Sequence, residues 1–213
     1  MTNTESEAEY ERHGGFPRYG PASPGPGFAR FLEAARRFQD LAVSTDPDEA
    51  VWNEAADRIE AINALLEPFW TDDQGQVPAG RSPELPGFGS LLIPPWSLTR
   101  FEADGCEMRG HFTRFHVGGN HAVHGGVLPL LFDHLLGLTS HAASRPISRT
   151  AFLHVDYRNV TPINVPLVVR SRITSVEGRK AFVSAELIDD RGPEEILLAE
   201  ANGLMVKLLP GQP

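Results

Sequence analysis

The sequence predicts an α+β fold, in which an antiparallel sheet surrounds one apolar helix and a helical extension precedes both. Three observations lead there. Four apolar-rich segments, roughly 150–158, 166–176, 180–189 and 196–208, follow one another with only turn signals between them, at Thr161-Pro162, Glu177-Gly178-Arg179 and Asp189 to Pro193. Connections so short join antiparallel neighbours, and none holds the crossover helix that a doubly wound sheet needs. The segment ahead of them, about Gly125 to Ala143, carries apolar residues around nearly its whole circumference, which suits a helix enclosed by a sheet.

The elements can be taken in chain order. Residues 1–27 are rich in Gly, Pro and Glu, with too little apolar surface to support order, and are expected to form a tail. From Phe28, the apolar positions Phe31, Leu32, Ala35, Phe38 and Ala42 recur at helical spacing, with Arg36, Arg37 and Asp40 turned away. A second helix is expected to begin with Asp46 as its cap, Pro47 in the first helical position and Glu49 three residues after the cap. Its stripe is Val51, Ala55, Ile59, Ile62 and Leu66, ending before Pro68. The two helices, residues 28–70, make a hairpin whose stripes need cover from the next domain or a partner subunit; serving as a substrate lid is the other reading. Residues 71–96 hold Pro and Gly without periodicity and read as a linker to a domain over 97–213. There the period becomes two: Cys106, Met108, Gly110 and Phe112 alternate with Glu107, Arg109, His111 and Thr113 in a half-buried strand. The turn Gly118-Gly119-Asn120-His121 then leads to the central helix.

Composition narrows the function. A chain of 213 residues with 41% apolar content buries one ordinary core. The start, Met1 to Tyr10, is acidic and polar, and no apolar run approaches the roughly eighteen residues of a membrane span, so a soluble cytoplasmic protein without membrane insertion is expected. The single Cys106 excludes an internal disulfide, fits a reducing compartment, and in its strand reads as a packing residue. A net charge of −9 argues against nucleic acid. Residues 1–100 hold 16 acids against 8 bases and residues 101–213 hold 12 against 11, so the acidity belongs to the extension. The second half can therefore offer a basic rim, drawn from Arg145, Arg149, Arg158, Arg170, Arg172, Arg179 and Lys180, to an anionic cofactor tail. Six histidines fall between His111 and His141, but without metal-ligand spacing, so no metal site is expected; no Gly-x-Ser-x-Gly elbow exists either.

The chemistry concentrates in His124-Gly125-Gly126-Val-Leu-Pro-Leu-Leu-Phe-Asp133. Adjacent glycines let backbone approach a ligand closely, and free amides at a helix start favour developing negative charge. Asp133 lies eight residues beyond Gly125, roughly 12 Å along one helix, so the two cannot meet on one substrate atom. If both act on the same carbonyl, a neighbouring subunit supplies one of them, and a symmetric dimer with two shared sites is the natural arrangement.

The His-Gly-Gly stretch with Asp nine positions after the His, the Thr150-Ala-Phe-Leu-His-Val-Asp-Tyr157 strand and the Arg158-Asn-Val-Thr-Pro162 turn together resemble the hot-dog fold acyl-CoA thioesterases, over about residues 97–208. The resemblance implies five or six antiparallel strands wrapped around a central helix, with sites at a dimer interface. It also implies hydrolysis of an acyl-CoA to free acid and coenzyme A, by a homodimer or a tetramer built as a dimer of dimers. No cofactor beyond the coenzyme A of the substrate is implied. In this light the Gly125 amide, aided by that of Gly126, becomes the oxyanion donor. Asp133 becomes general base or nucleophile, helped by the raised pKa that an apolar helix tends to give a carboxylate. Thr150 would position the attacking water or Asp133, and His124 would orient the turn. Arg149 and Arg158 become candidates for the coenzyme A phosphates. Phenylacetyl-CoA-type members carry Asn six residues before the His; here Gly118 stands there, so either Asn120 takes over that contact or this chain goes with members that rely on the glycine amide and the Asp-Thr pair. An acyl-CoA hydratase or dehydratase is a weaker enzymatic alternative, since those show a different His and Asp arrangement. The rival from another class is a non-catalytic acyl-CoA-binding or regulatory module.

Overall fold

The computed structural model describes residues 20–73, 75–145 and 147–209, so the expected N-terminal tail lies, up to residue 19, outside the described residues. Two helices come first, α1 (Pro26–Ala42) and α2 (Glu49–Leu66). Strands β1 (Ser97–Glu102) and β2 (Gly105–Gly110) precede the central helix α3 (Val127–Ala142). After it come β3 (Ser148–Tyr157), β4 (Leu167–Glu177), β5 (Lys180–Asp189) and β6 (Ile196–Lys207). The strands form one six-stranded antiparallel sheet in the order β1-β2-β4-β5-β6-β3.

This order corrects the expectation that each late strand neighbours the next. β4, β5 and β6 do, but β3 pairs with β6 and β4 with β2. The β3–β4 connection crosses the end of the sheet instead of turning back, because its backbone is tied elsewhere. The Thr161 carbonyl accepts from the Val123 amide at 3.0 Å, and the Asn164 amide donates to the Phe112 carbonyl at 2.7 Å. α3 then lies across the sheet with Leu128, Leu131, Phe132, Leu135, Leu136, Thr139 and Ser140 buried. Those leucines meet Met108, Leu167, Val169, Val183, Leu187 and Met205 of the strands in one core. The contact is closest at Gly203 in β6, where a Cβ would lie 2.3 Å from Leu136 Cδ2 and 3.2 Å from the Phe152 carbonyl. Only glycine lets the helix sit this low.

The extension differs from expectation in three ways. The cap of α2 is Asp48, not Asp46: its carboxylate accepts from the Val51 amide at 3.0 Å, three residues on, as an N-cap should. The polar side of α1 is not turned to solvent. Arg36 donates to the carbonyls of Ser90 (2.6 Å) and Ile93 (3.1 Å), and Asp40 accepts from the Phe115 amide at 2.9 Å. α1 thus docks by hydrogen bonds, with Leu32 its one buried residue. By contrast α2 buries no residue, and Val51, Ile62 and Leu66 of its stripe are exposed.

Arg36 also organises the Pro86–Gly89 turn within the segment expected to be linker. Gly87, Phe88 and Gly89 all have positive φ, 62°, 56° and 76°, and Phe88 has a Cβ, so its conformation is strained and must be held by its surroundings. The Phe88 ring packs on the His134 ring of α3, edge to face, with centroids 5.1 Å apart.

Candidate active site

Asp133 and Thr150 are brought together. Asp133 is exposed on α3, and Thr150 lies near the start of the exposed edge strand β3. The Thr150 hydroxyl donates to Asp133 Oδ1 at 2.7 Å. A β-bulge helps aim it: Thr150 pairs with Met205 but Phe152 with Leu204, so one extra residue of β3 is accommodated beside Thr150. The two residues line a cavity of about 600 Å³ together with His134, Gly137, Leu138 and His141 of α3, Ser148 and Arg149 of β3, and Met205 of β6.

The glycine turn forms a second cluster. α3 starts at Val127 with Gly126 as N-cap, so Gly125 lies just before the helix and not in its first turn. The His124 amide is held by the His116 carbonyl at 2.8 Å. His124 Nδ1 accepts from the Gly126 amide at 3.0 Å, which assigns the ring proton to Nε2. The same bond occupies the Gly126 N–H, the amide expected to aid the oxyanion. The Gly125 amide, in contrast, donates to no acceptor among the described residues. Tyr157, at the far end of β3 from Thr150, donates its hydroxyl to the Gly125 carbonyl at 2.8 Å and fixes that peptide. The sequence reading gave Tyr157 no role, although it ends the strand that carried the resemblance.

Other candidates stand apart. Asn120 occupies an exposed turn with φ 54° and does not line the cavity. Arg149 lines the cavity, whereas Arg158 is ion-paired with Glu200 and lies 3.8 Å from Asp156, and Arg170 is paired with Glu107 and Glu195. The expected basic rim is thus partly neutralised from within the sheet. Cys106 is buried, and burial pushes its thiol pKa up, which disfavours the reactive thiolate. Among the described residues no three His, Cys, Asp or Glu side chains group as metal ligands would.

Two histidines near the site are kept neutral. Burial lowers the pKa of His134, against the opposing pull of the Asp133 charge, and His134 Nε2 is buried with no hydrogen-bond partner among the described residues. Burial likewise lowers that of His116, whose Nδ1 accepts from the Thr113 amide at 3.0 Å in a capping box.

Residues 120–196 match the family model of the thioesterase superfamily. The crystal structure of protein RHA08564, a thioesterase superfamily protein, superposes with a TM-score of 0.72 at 26% identity, over 88% of this chain and 93% of that one. The sheet and central helix have the hot-dog fold of that thioesterase superfamily structure. Rat acyl-coenzyme A thioesterase THEM4 is 36% identical over 91 residues, and its mouse counterpart 37% over 93; each match covers 43% of this chain and 38% of the relative. The chain therefore spans under two-fifths of the length of these curated relatives. A Streptococcus mutans protein solved with acetyl CoA shares the hot-dog fold at 15% identity, with a TM-score of 0.50. No helix among the described residues is long and apolar enough to cross a membrane.

Proposed function

We propose that this hot-dog domain hydrolyses acyl-CoA thioesters as a homodimer, each site using Gly125 of one subunit with Asp133 and Thr150 of the other. The observation that carries this reading is the 2.7 Å bond from Thr150 to Asp133, which holds a carboxylate at the mouth of a cavity of substrate size. Asp133 takes a proton from water as the water oxygen attacks the thioester carbonyl. The carbonyl oxygen, now anionic, accepts from the unused Gly125 amide, and the carbonyl reforms as the C–S bond breaks. The coenzyme A thiolate then receives the proton that Asp133 holds, which restores the carboxylate. Thr150 keeps Asp133 in place, and Tyr157 and His124 keep the Gly125 turn in place. No metal or redox group enters these steps.

The two-subunit arrangement is supported by the separation of Gly125, just ahead of α3, from Asp133 within it, and by the exposure of the Asp133 face of α3. Leu130 and Gly137 on that side are only half-buried in the single chain. A cytoplasmic setting is part of the same reading, supported by a single free thiol. The test is release of free thiol from short, medium, long and aromatic acyl-CoAs by the wild type and by Asp133→Asn. Release that falls about a hundredfold or more in the variant is the expected result. Acyl-CoA binding with no release by the wild type would favour a binding module instead.

A further inference from the structure

Gly137 sits inside α3, one turn beyond Asp133 and on the same side of the helix. Glycine there costs helix stability relative to alanine, so a reason for it is needed. Conformation does not supply one, because Gly137 has no positive φ. Nor does packing within the single chain: a Cβ built at Gly137 meets nothing within 4 Å, in contrast to Gly203, where the neighbouring helix forbids a side chain. The residue instead lines the cavity that holds Asp133 and Thr150, among His134, Leu138, His141 and Met205.

We infer that the space over Gly137 receives the acyl group of the substrate, and that the missing side chain sets how large an acyl group the site accepts. This rests on the thioester carbonyl lying at Asp133, as proposed above. From that point the two arms of the substrate leave in different directions, and the charge of the cavity decides which one follows α3. A nucleotide tail with several phosphates needs clustered cations. The cavity offers one permanent cation, Arg149, beside the Asp133 carboxylate, while burial keeps His134 neutral. It is also lined by Leu138 and by Met205, which lies beside Thr150, and Phe101 stands against the His141 ring at 5.9 Å. These surroundings suit the uncharged arm. The cavity of about 600 Å³ leaves room for acyl groups larger than acetyl beside Gly137.

The test compares wild type, Gly137→Ala and Gly137→Leu on acetyl-, octanoyl- and palmitoyl-CoA. The ratio of palmitoyl-CoA to acetyl-CoA kcat/KM should fall by about tenfold or more in Gly137→Leu and by less in Gly137→Ala. Thermal unfolding of Gly137→Ala should show no loss of stability, and sedimentation should show an unchanged oligomer. A loss of equal size for all three substrates would overturn the inference by placing the coenzyme A arm there. Dissociation of the oligomer would overturn it by giving the space to a partner subunit. Equilibrium binding of the same acyl-CoAs to Asp133→Asn, with and without Gly137→Leu, separates this inference from the hydrolytic reading. If the wild type hydrolyses nothing but the added Leu weakens palmitoyl-CoA binding selectively, the reaction assignment fails and the acyl pocket stands; if binding of all chains responds alike, the pocket fails.

Discussion

Replacing Thr150 with valine removes one hydroxyl and almost no volume. Valine is at home in a strand, and Thr150 is exposed, so the sheet should tolerate the change with little loss of stability. What disappears is the 2.7 Å hydrogen bond to Asp133 Oδ1. A hydrogen bond to a charged group contributes about 1.5–3 kcal/mol. At about 1.4 kcal/mol per factor of ten, full loss of that contribution from the transition state would slow the reaction from about tenfold to about 150-fold. The pair is open to solvent in the single chain, and water can replace part of the bond, so a loss near the lower figure is expected. Thiol release under saturating acyl-CoA gives kcat directly, and Thr150→Ser, which keeps the hydroxyl, should recover most of the rate. A Thr150→Val enzyme within about twofold of wild type in both kcat and kcat/KM would refute the idea that this hydroxyl positions Asp133 for the reaction.

Three further outcomes follow from the same geometry. Tyr157→Phe should lower kcat severalfold, corresponding to about 0.5–1.5 kcal/mol for the lost bond to the Gly125 carbonyl, while urea unfolding changes little because Tyr157 is exposed. Arg36→Ala should destabilise the fold by about 1–3 kcal/mol in denaturant titrations, since the Ser90 and Ile93 carbonyls lose their donor in a partly buried place. Stability should decline as pH falls below about 6.5: His116 and His134 resist protonation when folded, so the unfolded chain binds more protons in that window. Urea unfolding at about pH 7.5 and about pH 5.5 measures this, and His134→Asn should make the difference smaller.

The sequence revealed what local pattern determines and missed what distant partners determine. The central helix was readable because its apolar residues mark it whatever surrounds it, and the Asp133–Thr150 pair because the motif carried it. β1 was not singled out as a strand: Ser97–Glu102 is an edge strand in which even Phe101 stays exposed, so alternation never shows clearly. The pairing of β3 with β6 was hidden because a short connection looks like a hairpin until Val123 and Phe112 are seen to hold its backbone. Arg36 and Asp40 looked like solvent-facing charges because their partners are backbone groups some fifty and seventy-five residues away, which no periodicity reports. The same holds for the Gly125 amide: chemistry suggested it as a donor, but only the structure separates it from the Gly126 amide that His124 occupies. Tyr157 escaped because its single polar contact is to a backbone carbonyl of another element.

The close seating of α3 at Gly203 has a consequence for residues that never touch it. Leu136, which fills the space above Gly203, lies three residues beyond Asp133, so the two are neighbours on the helix surface. A methyl group at position 203 would stand 2.3 Å from Leu136, and ordinary contact begins near 3.4 Å, so helix or side chain would have to yield by about an ångström. A 2.7 Å bond between Thr150 and Asp133 lengthened by that amount is no longer a hydrogen bond. The alignment of the reacting groups is in that sense gauged by a residue with no side chain, on a strand that meets the helix within one turn of Asp133.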